Sequence, residues 1–179
     1  MRNYANDLRV ATLLMTLSLS ACARGDAMPV ALAATEASVA SVAAASLART
    51  SAMPPMTVHK HESCGCCGLW IEHMQAAGFK VEVRNVSDLP AIKTRLGVPD
   101  EMASCHTAEV AGYFIEGHVP AADVKRLLAE KPDARGLALP GMPLGSPGME
   151  HPTGRSQAYT VALVSRDGSS TGYSHHAAR

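Results

Sequence analysis

The sequence predicts an α/β domain with a mixed sheet, preceded by an export segment and a tether. Three observations predict this fold class. Strand-like and helix-like segments alternate from residue 56 onward, the candidate helices have recognisable starts and stops, and the chain begins with one short apolar run. We expect the domain to span residues 56–166, followed by a flexible tail, 167–179. The expected element order is β-α-β-α-β-β-α with an additional C-terminal strand.

The N-terminal segment has the features of a secretory signal. Arg2 and Arg9 precede the apolar run 10–19, which is too short to span a bilayer. The run ends in "LSAC", which resembles the lipobox of bacterial lipoproteins. We therefore expect residues 1–21 to be a signal peptide of the lipoprotein type and Cys22 to be lipidated, with ordinary secretion and an unmodified Cys22 as the alternative. Either route leads to the periplasm or cell envelope, where disulfides persist.

Composition limits the partners of the chain. Residues 22–55 are rich in Ala and Ser without a strong apolar stripe, which is typical of a tether. The formal net charge of the 179 residues is +0, so nothing favours a nucleic-acid partner. We expect contact with a membrane only through the lipid on Cys22.

The first half of the domain is predicted to begin with a strand, a helix and a second strand. The segment "MTVHKH" (56–61) is a short strand, and "CCGLWIEHMQAAG" (66–78) is a helix stopped by its final glycine. The segment "FKVEVRNV" (79–86) alternates apolar and charged residues, as a half-buried strand does. Its expected inward side chains are Phe79, Val81 and Val83.

The second half continues with a helix, a hairpin and a helix. Ser87 is the expected N-cap of a helix over 88–97, which has a proline in its first turn and a glycine at its end. Segments 105–110 and 112–117 read as two strands of a tight hairpin. A third helix follows over 120–132, bounded by prolines at both ends.

The C-terminal part is predicted to contain one more strand. Residues 136–154, "GLALPGMPLGSPGMEHPTG", read as a Gly/Pro-rich loop that we expect to cover the cysteines. "YTVALV" (159–164) is an apolar strand.

This element order is that of the thioredoxin fold. Cys64 and Cys67 form a C-x-x-C motif at the start of the first helix, where thioredoxins carry theirs. A helix N-terminus stabilises thiolate over thiol. Thiolate is both the nucleophile of disulfide exchange and a metal ligand, so this placement leaves a redox couple and a metal site open.

Two further cysteines favour a metal site. Cys66 lies inside the C-x-x-C pair, where a plain dithiol enzyme has no use for it. Cys105 opens the third strand, and in a thioredoxin-like fold the loop entering that strand lies against the C-x-x-C motif. We therefore expect Cys64, Cys66, Cys67 and Cys105 to converge.

The nearby donors indicate copper. His106, His118, Met142 and Met149 are secondary ligand candidates, and thiolate, imidazole and thioether together suit Cu(I). A single tetrahedral ion would fit poorly to such crowded cysteines, whereas thiolates that bridge several ions relieve the crowding. The sequence thus predicts a copper–thiolate cluster with more than one Cu(I).

Three motifs are similar to a known family. The segments "CGCCGLWIEHMQAAGF", "CHTAEVAGYFIEGHVPAADVKRLL" and "GLALPGMPLGSPGME" resemble the periplasmic copper-resistance proteins of the CopG type. The resemblance implies a thioredoxin-like fold, copper binding through Cys64, Cys66, Cys67 and Cys105, and a role in copper tolerance. It also implies copper oxidoreductase activity as an option. We expect copper ions and other envelope copper-handling proteins as partners.

Two other functions stay open from the residues. Cys64 and Cys67 are redox candidates for a periplasmic thiol–disulfide oxidoreductase without a metal role, and the cysteines could instead staple a scaffold through disulfides. We expect Trp70 in the core and no acid–base role for Glu109 or Glu116. Exposed histidines without an assigned role are expected at His59, His61, His175 and His176.

Overall fold

The computed structural model describes residues 53–179. The predicted signal peptide, Cys22 and most of the tether lie outside the described residues. The helices and strands are β1 (Met56–Lys60), α1 (Gly65–Ala76), β2 (Val81–Asn85), α2 (Leu89–Leu96), β3 (His106–Val110), β4 (Tyr113–Gly117), α3 (Ala121–Glu130), β5 (Ala134–Leu139), β6 (Tyr159–Ser165) and β7 (Ser170–His176). Over 53–179, no helix combines the length and the apolar character needed to cross a membrane.

A seven-stranded mixed sheet organises the domain. The strand order is β2-β1-β3-β4-β5-β6-β7. Strand β1 pairs parallel with β2 and antiparallel with β3, and β3 pairs antiparallel with β4. This first half has the strand order and directions expected of a thioredoxin-like fold, so the predicted fold class is confirmed.

The core lies between the sheet and helices α1 and α3. Trp70 and Met74 of α1 are fully buried, as are Val124 and Leu127 of α3. Their spacing of three or four residues places each pair on one face of its helix, which is why these faces turn toward the sheet. The expected core position of Trp70 is confirmed. Its indole Nε1 donates a hydrogen bond to the Val119 carbonyl at 2.9 Å, which satisfies its buried polar group.

Strand β5 was not predicted. The start of the expected 136–154 loop instead belongs to β5, which pairs parallel with β4 after the crossover through α3. Leu137 and Ala138 are fully buried, so this short apolar run was a central strand rather than part of a loop. Gly136 fits because a Cβ there would overlap the carbonyl oxygen of Phe114 on the neighbouring strand.

The expected flexible tail forms strand β7. It pairs antiparallel with β6 at the edge of the sheet. Contacts with α3 hold it in place: Tyr173 lies under the Arg126 guanidinium at 3.7 Å and donates a hydrogen bond to Glu130 at 2.8 Å. His176 contacts Asp123 at 2.8 Å and stacks on Tyr159. Polar composition suggested flexibility, but these side chains bind neighbouring elements.

Three local expectations also differ from the structure. The N-cap of α2 is Asp88 rather than Ser87, because the Asp88 carboxylate accepts the Ala91 N–H at 3.0 Å. Val83, which was expected to point inward, is 43% exposed on the edge strand β2. His59 is buried on β1, a strand with a neighbour on each side, and its Nε2 contacts Glu109 at 2.8 Å.

Candidate metal centre

The C-x-x-C motif sits where β1 turns into α1. Cys64 is the N-cap residue of α1, and its backbone N–H donates to the His61 carbonyl at 3.0 Å. Cys64 and Cys67 form a disulfide, and Cys67 is fully buried. The bond links residues only three positions apart, so it removes little entropy from the unfolded chain. A stapling role for this disulfide is therefore weak, and a reactive role fits its position better.

The two remaining described cysteines are free thiols beside this disulfide. Cys66 Sγ lies 3.8 Å from Cys64 Sγ, and Cys67 Sγ lies 3.7 Å from the Cys105 carbonyl oxygen. The Sγ atoms of all four cysteines lie within 4.8 Å of one another. The structure thus brings together the four cysteines that the sequence singled out. Once the disulfide is reduced, they form one group of four sulfur donors that could hold metal.

Cys105 also belongs to a second donor group. Its Sγ lies 3.1 Å from His118 Nε2 and 3.4 Å from His106 Nδ1. His118 Nδ1 lies 2.7 Å from the Pro147 carbonyl oxygen. Because a carbonyl only accepts, Nδ1 carries the proton of a neutral His118, and the Nε2 lone pair faces Cys105. Both histidines named as secondary candidates therefore lie at the cysteines.

Burial controls the protonation of this second group. Burial lowers the pKa of His106 to about 3, with His118 and nearby lysines contributing, and burial also lowers the pKa of His118. Burial and the neighbouring Cys66 raise the pKa of the Cys105 thiol to about 11. At neutral pH the metal-free group thus consists of a thiol and two neutral imidazoles. Its imidazole lone pairs are available without loss of a proton.

His106 occupies a fully enclosed position. Its ring centroid lies 4.3 Å from that of Trp70 and 5.3 Å from that of His118. Its Nε2 is buried and has no hydrogen-bond partner within the part of the chain that the structure describes. Trp70 therefore shields the donor group as well as filling the core.

The loop between β5 and β6 covers the site. Met142 Sδ lies 3.8 Å from Cys66 Sγ, although nearly half of the Met142 surface is exposed. For Met149 the structure gives backbone hydrogen bonds with Gly145 and Ser146, whereas the sulfur contact with a described cysteine belongs to Met142. Of the two methionine candidates, Met142 is therefore the one at the cysteines.

Gly148 fixes this loop against α1. Its φ is +81°, and a Cβ there would lie 2.8 Å from the Trp70 nitrogen and 3.0 Å from the Cys66 carbonyl oxygen. The loop backbone approaches the helix closely only because residue 148 has no side chain. The same approach places Pro147 at His118.

A Gly148→Ala variant tests this contact. Gly154→Ala is the matched control, because Gly154 has a φ of +73° in the same loop but open space around it. Both variants incur the strain of positive φ, and only Gly148→Ala overlaps the α1 backbone. We expect Gly148→Ala to lower the free energy of unfolding by about 1–3 kcal/mol more than the control, measured by urea denaturation. Equal losses would contradict close packing of the loop on α1.

Glu116 is a residue of the site that sequence reasoning missed. Its fully buried carboxylate accepts hydrogen bonds from Lys93 Nζ, the Ser104 N–H and the Thr107 hydroxyl. Burial raises the pKa of Glu116, and Lys93 and the other donors oppose that rise. Ser104 and Thr107 flank Cys105 and His106, so the carboxylate anchors the segment that carries two donors. In the sequence, the indication of a special role for Glu116 was a single acidic residue within the otherwise apolar strand "YFIEG".

A known family matches the part of the chain that carries much of this site. Residues 102–149 match the family described as a protein of unknown function, DUF411. This range includes Cys105, His106, His118 and Met142. Among curated proteins, none matches the chain.

Two solved structures are similar to the chain over most of the described domain. Form 1 of the copper resistance protein CopG is 46% identical with a TM-score of 0.66, covering 70% of this chain and 98% of that chain. Form 2 is 47% identical with a TM-score of 0.66, covering 69% of this chain and 98% of that chain. This identity over nearly the whole length of both structures means that the chain belongs to the CopG family of copper resistance proteins.

Proposed function

We propose that this protein binds Cu(I) in the cell envelope and serves copper resistance. The ligands are the thiolates of Cys64, Cys66, Cys67 and Cys105, which hold more than one ion as a copper–thiolate cluster. The observation that carries the proposal is the convergence of four sulfur atoms within 4.8 Å of one another. The names of the two similar structures support copper as the cargo.

The donor chemistry fits Cu(I). Thiolate sulfur is a soft ligand, and the Met142 thioether beside Cys66 adds another soft donor. Cys66 and Cys67 are consecutive, and a single ion would strain the backbone to accept both together with Cys64. Sulfur atoms that each bridge two ions accommodate this crowding. Hard cations such as Mg²⁺ prefer oxygen donors, which the four-cysteine group does not offer.

The cluster requires the reduced form of the site. Two electrons and two protons convert the Cys64–Cys67 disulfide into two thiols, and an external thiol reductant supplies the electrons. Each thiol then releases its proton when it binds copper. The disulfide therefore blocks two of the four ligands, and its reduction makes them available.

The proposed location in the envelope rests on the sequence of the N-terminal segment. We propose that the signal peptide directs export and that lipid on Cys22 anchors the protein to a membrane. Disulfides persist outside the cytoplasm, which is consistent with a Cys64–Cys67 bond that forms and breaks there.

Anaerobic copper loading of the reduced protein tests the proposal. We expect more than one Cu(I) per chain, measured by metal analysis after removal of loosely bound copper. A Cys64→Ser/Cys67→Ser variant is expected to lose most of this copper, because half of the thiolates are gone. Glu62→Gln, at an exposed neighbouring position, is the control and should load as wild type. Binding of no copper, or of one zinc in its place, would overturn the proposal.

A second candidate function is thiol–disulfide exchange without metal. The observation in its favour is the disulfide at the start of α1, with Cys64 at the partly exposed end. This function needs Cys64 and Cys67 alone, whereas the copper cluster also needs Cys66. The two functions therefore differ in what they require of Cys66.

A further inference from the structure

The group formed by Cys105, His106 and His118 does not depend on the disulfide. It shares Cys105 with the four-cysteine group, and none of its three members belongs to the Cys64–Cys67 bond. Oxidation of that pair removes two thiolates from the proposed cluster. The same oxidation leaves every donor of the Cys105–His106–His118 group in place.

The spacing of these donors fits one ion. When a sulfur atom lies about 2.3 Å and a nitrogen atom about 2.0 Å from the same tetrahedral ion, the two donor atoms lie about 3.5 Å from each other. The distances from Cys105 Sγ to the two imidazole nitrogens are 3.4 Å and 3.1 Å. Adjustments of a few tenths of an ångström, within the reach of side-chain rotation, would complete the geometry.

Both imidazoles direct a ring nitrogen at Cys105. The Pro147 carbonyl fixes the proton of His118 on Nδ1 and directs Nε2 at Cys105. His106 is fully buried, its Nδ1 faces Cys105, and its Nε2 lacks a partner among residues 53–179. A buried imidazole that makes no hydrogen bond beyond Cys105 is poorly explained by stability alone. A ligand role for Nδ1 accounts for the direction in which the ring points.

We infer that the disulfide form of the protein retains a one-copper site made of Cys105, His106 and His118. One thiolate and two imidazoles form a donor set that copper accepts in protein sites. The oxidation state of Cys64 and Cys67 then sets copper capacity, with one ion when they are bonded and several when they are reduced. The identity of the ion as copper rests on the proposed function.

The alternative position for one ion in the disulfide form is beside Cys66. Its sulfur lies 3.8 Å from the Met142 thioether, and Met142 is about half exposed. A site there would have sulfur donors and no imidazole. The type of ligand atom therefore distinguishes the two positions.

Copper titration of the oxidised chain tests the inference. The starting material contains the Cys64–Cys67 disulfide and two free thiols in the domain, verified by thiol counting before and after loading. Cu(I) is supplied anaerobically as an acetonitrile complex without reductant, in competition with a chromophoric chelator. We expect one Cu(I) per chain, and X-ray absorption at the copper edge should show both nitrogen and sulfur ligands.

Histidine variants complete the test. His118→Gln and His106→Gln are each expected to weaken copper binding by the oxidised chain at least tenfold. His151→Gln changes an exposed histidine of the covering loop and should bind as wild type. If His106→Gln fails to fold, the absorption spectrum of the wild-type protein still identifies the ligands.

The outcomes separate this inference from the proposed function. No copper in the oxidised chain, sulfur ligands alone, or unchanged binding by His118→Gln would each overturn the inference. Failure of the reduced chain to bind several ions would overturn the cluster. In that case, one copper with nitrogen ligands in the oxidised chain would still support the Cys105–His106–His118 site.

Discussion

A Cys66→Ser variant is expected to lose at least half of the Cu(I) that the reduced wild-type protein binds. Cys66 Sγ lies 3.8 Å from Cys64 Sγ and 3.8 Å from Met142 Sδ, and within 4.8 Å of the other two cysteine sulfurs. This central position suits a thiolate that bridges two ions. Its removal should therefore break the cluster apart, and the loss of copper should exceed that caused by losing one terminal ligand. Metal analysis of the anaerobically loaded variant measures the loss.

The variant also separates the two candidate functions. Serine is close to cysteine in size, and Cys66 is partly exposed, so the fold and the Cys64–Cys67 bond should persist. Leu69→Ser is the matched control, because Leu69 is an exposed residue of the same helix. If Cys66→Ser binds as much copper as wild type, bridging by Cys66 is wrong. Exchange without metal instead predicts that Cys66→Ser reduces a disulfide substrate as fast as wild type, because this function needs Cys64 and Cys67 alone.

The thioredoxin-like half of the fold and the cysteine group were predictable from sequence. Periodicity identified β1 through α3, because each element has its own apolar pattern and stop signal. The position of Cys105 beside the C-x-x-C motif followed from the order of these elements. The topology determines which loops are neighbours, so the predicted topology was enough to predict this long-range contact.

The extension of the sheet was not predictable in the same way. Strand β5, "ARGLAL", is short, contains Gly136 and is followed by Pro140, and that composition also suits a loop. Strand β7 has mostly polar residues, and its order comes from contacts of Tyr173 and His176 with α3. The apolar periodicity of one segment cannot predict contacts that its side chains make with a helix elsewhere in the chain. Both strands therefore needed the three-dimensional structure.

The support of the site was also hidden in the sequence. The Pro147 carbonyl that orients His118 is a backbone atom, and no residue type identifies it. In the sequence Glu116 looks like an ordinary acidic residue. Only the structure reveals that Lys93, Ser104 and Thr107 donate hydrogen bonds to it. Sequence thus predicted the ligands better than the atoms that position them.

A Glu116→Gln variant is expected to lower the free energy of unfolding by about 3–5 kcal/mol, because it leaves the Lys93 ammonium without its buried counter-charge. The Lys93 side chain is 12% exposed and that of Glu116 is fully buried. Arg166→Ala is the matched control: it removes an ion pair with Asp133 whose two side chains are largely exposed, and it should cost at most about 1 kcal/mol. Urea denaturation with the disulfide intact measures both changes. A loss under about 1 kcal/mol for Glu116→Gln would contradict a buried ion pair.

A double variant separates stability from positioning. Replacing both partners of a buried ion pair by apolar residues often restores stability, so Lys93→Met/Glu116→Leu should recover much of the loss. It should not reach wild-type copper affinity, because the Ser104 N–H and the Thr107 hydroxyl on either side of Cys105 and His106 lose the acceptor oxygen that Glu116→Gln retains. Copper titration of the double variant at a temperature where it is folded distinguishes the two roles. Recovery of affinity together with stability would mean that the Glu116 network supports the fold alone. Stability without affinity would identify Glu116 as the residue that positions the Cys105 segment for metal binding.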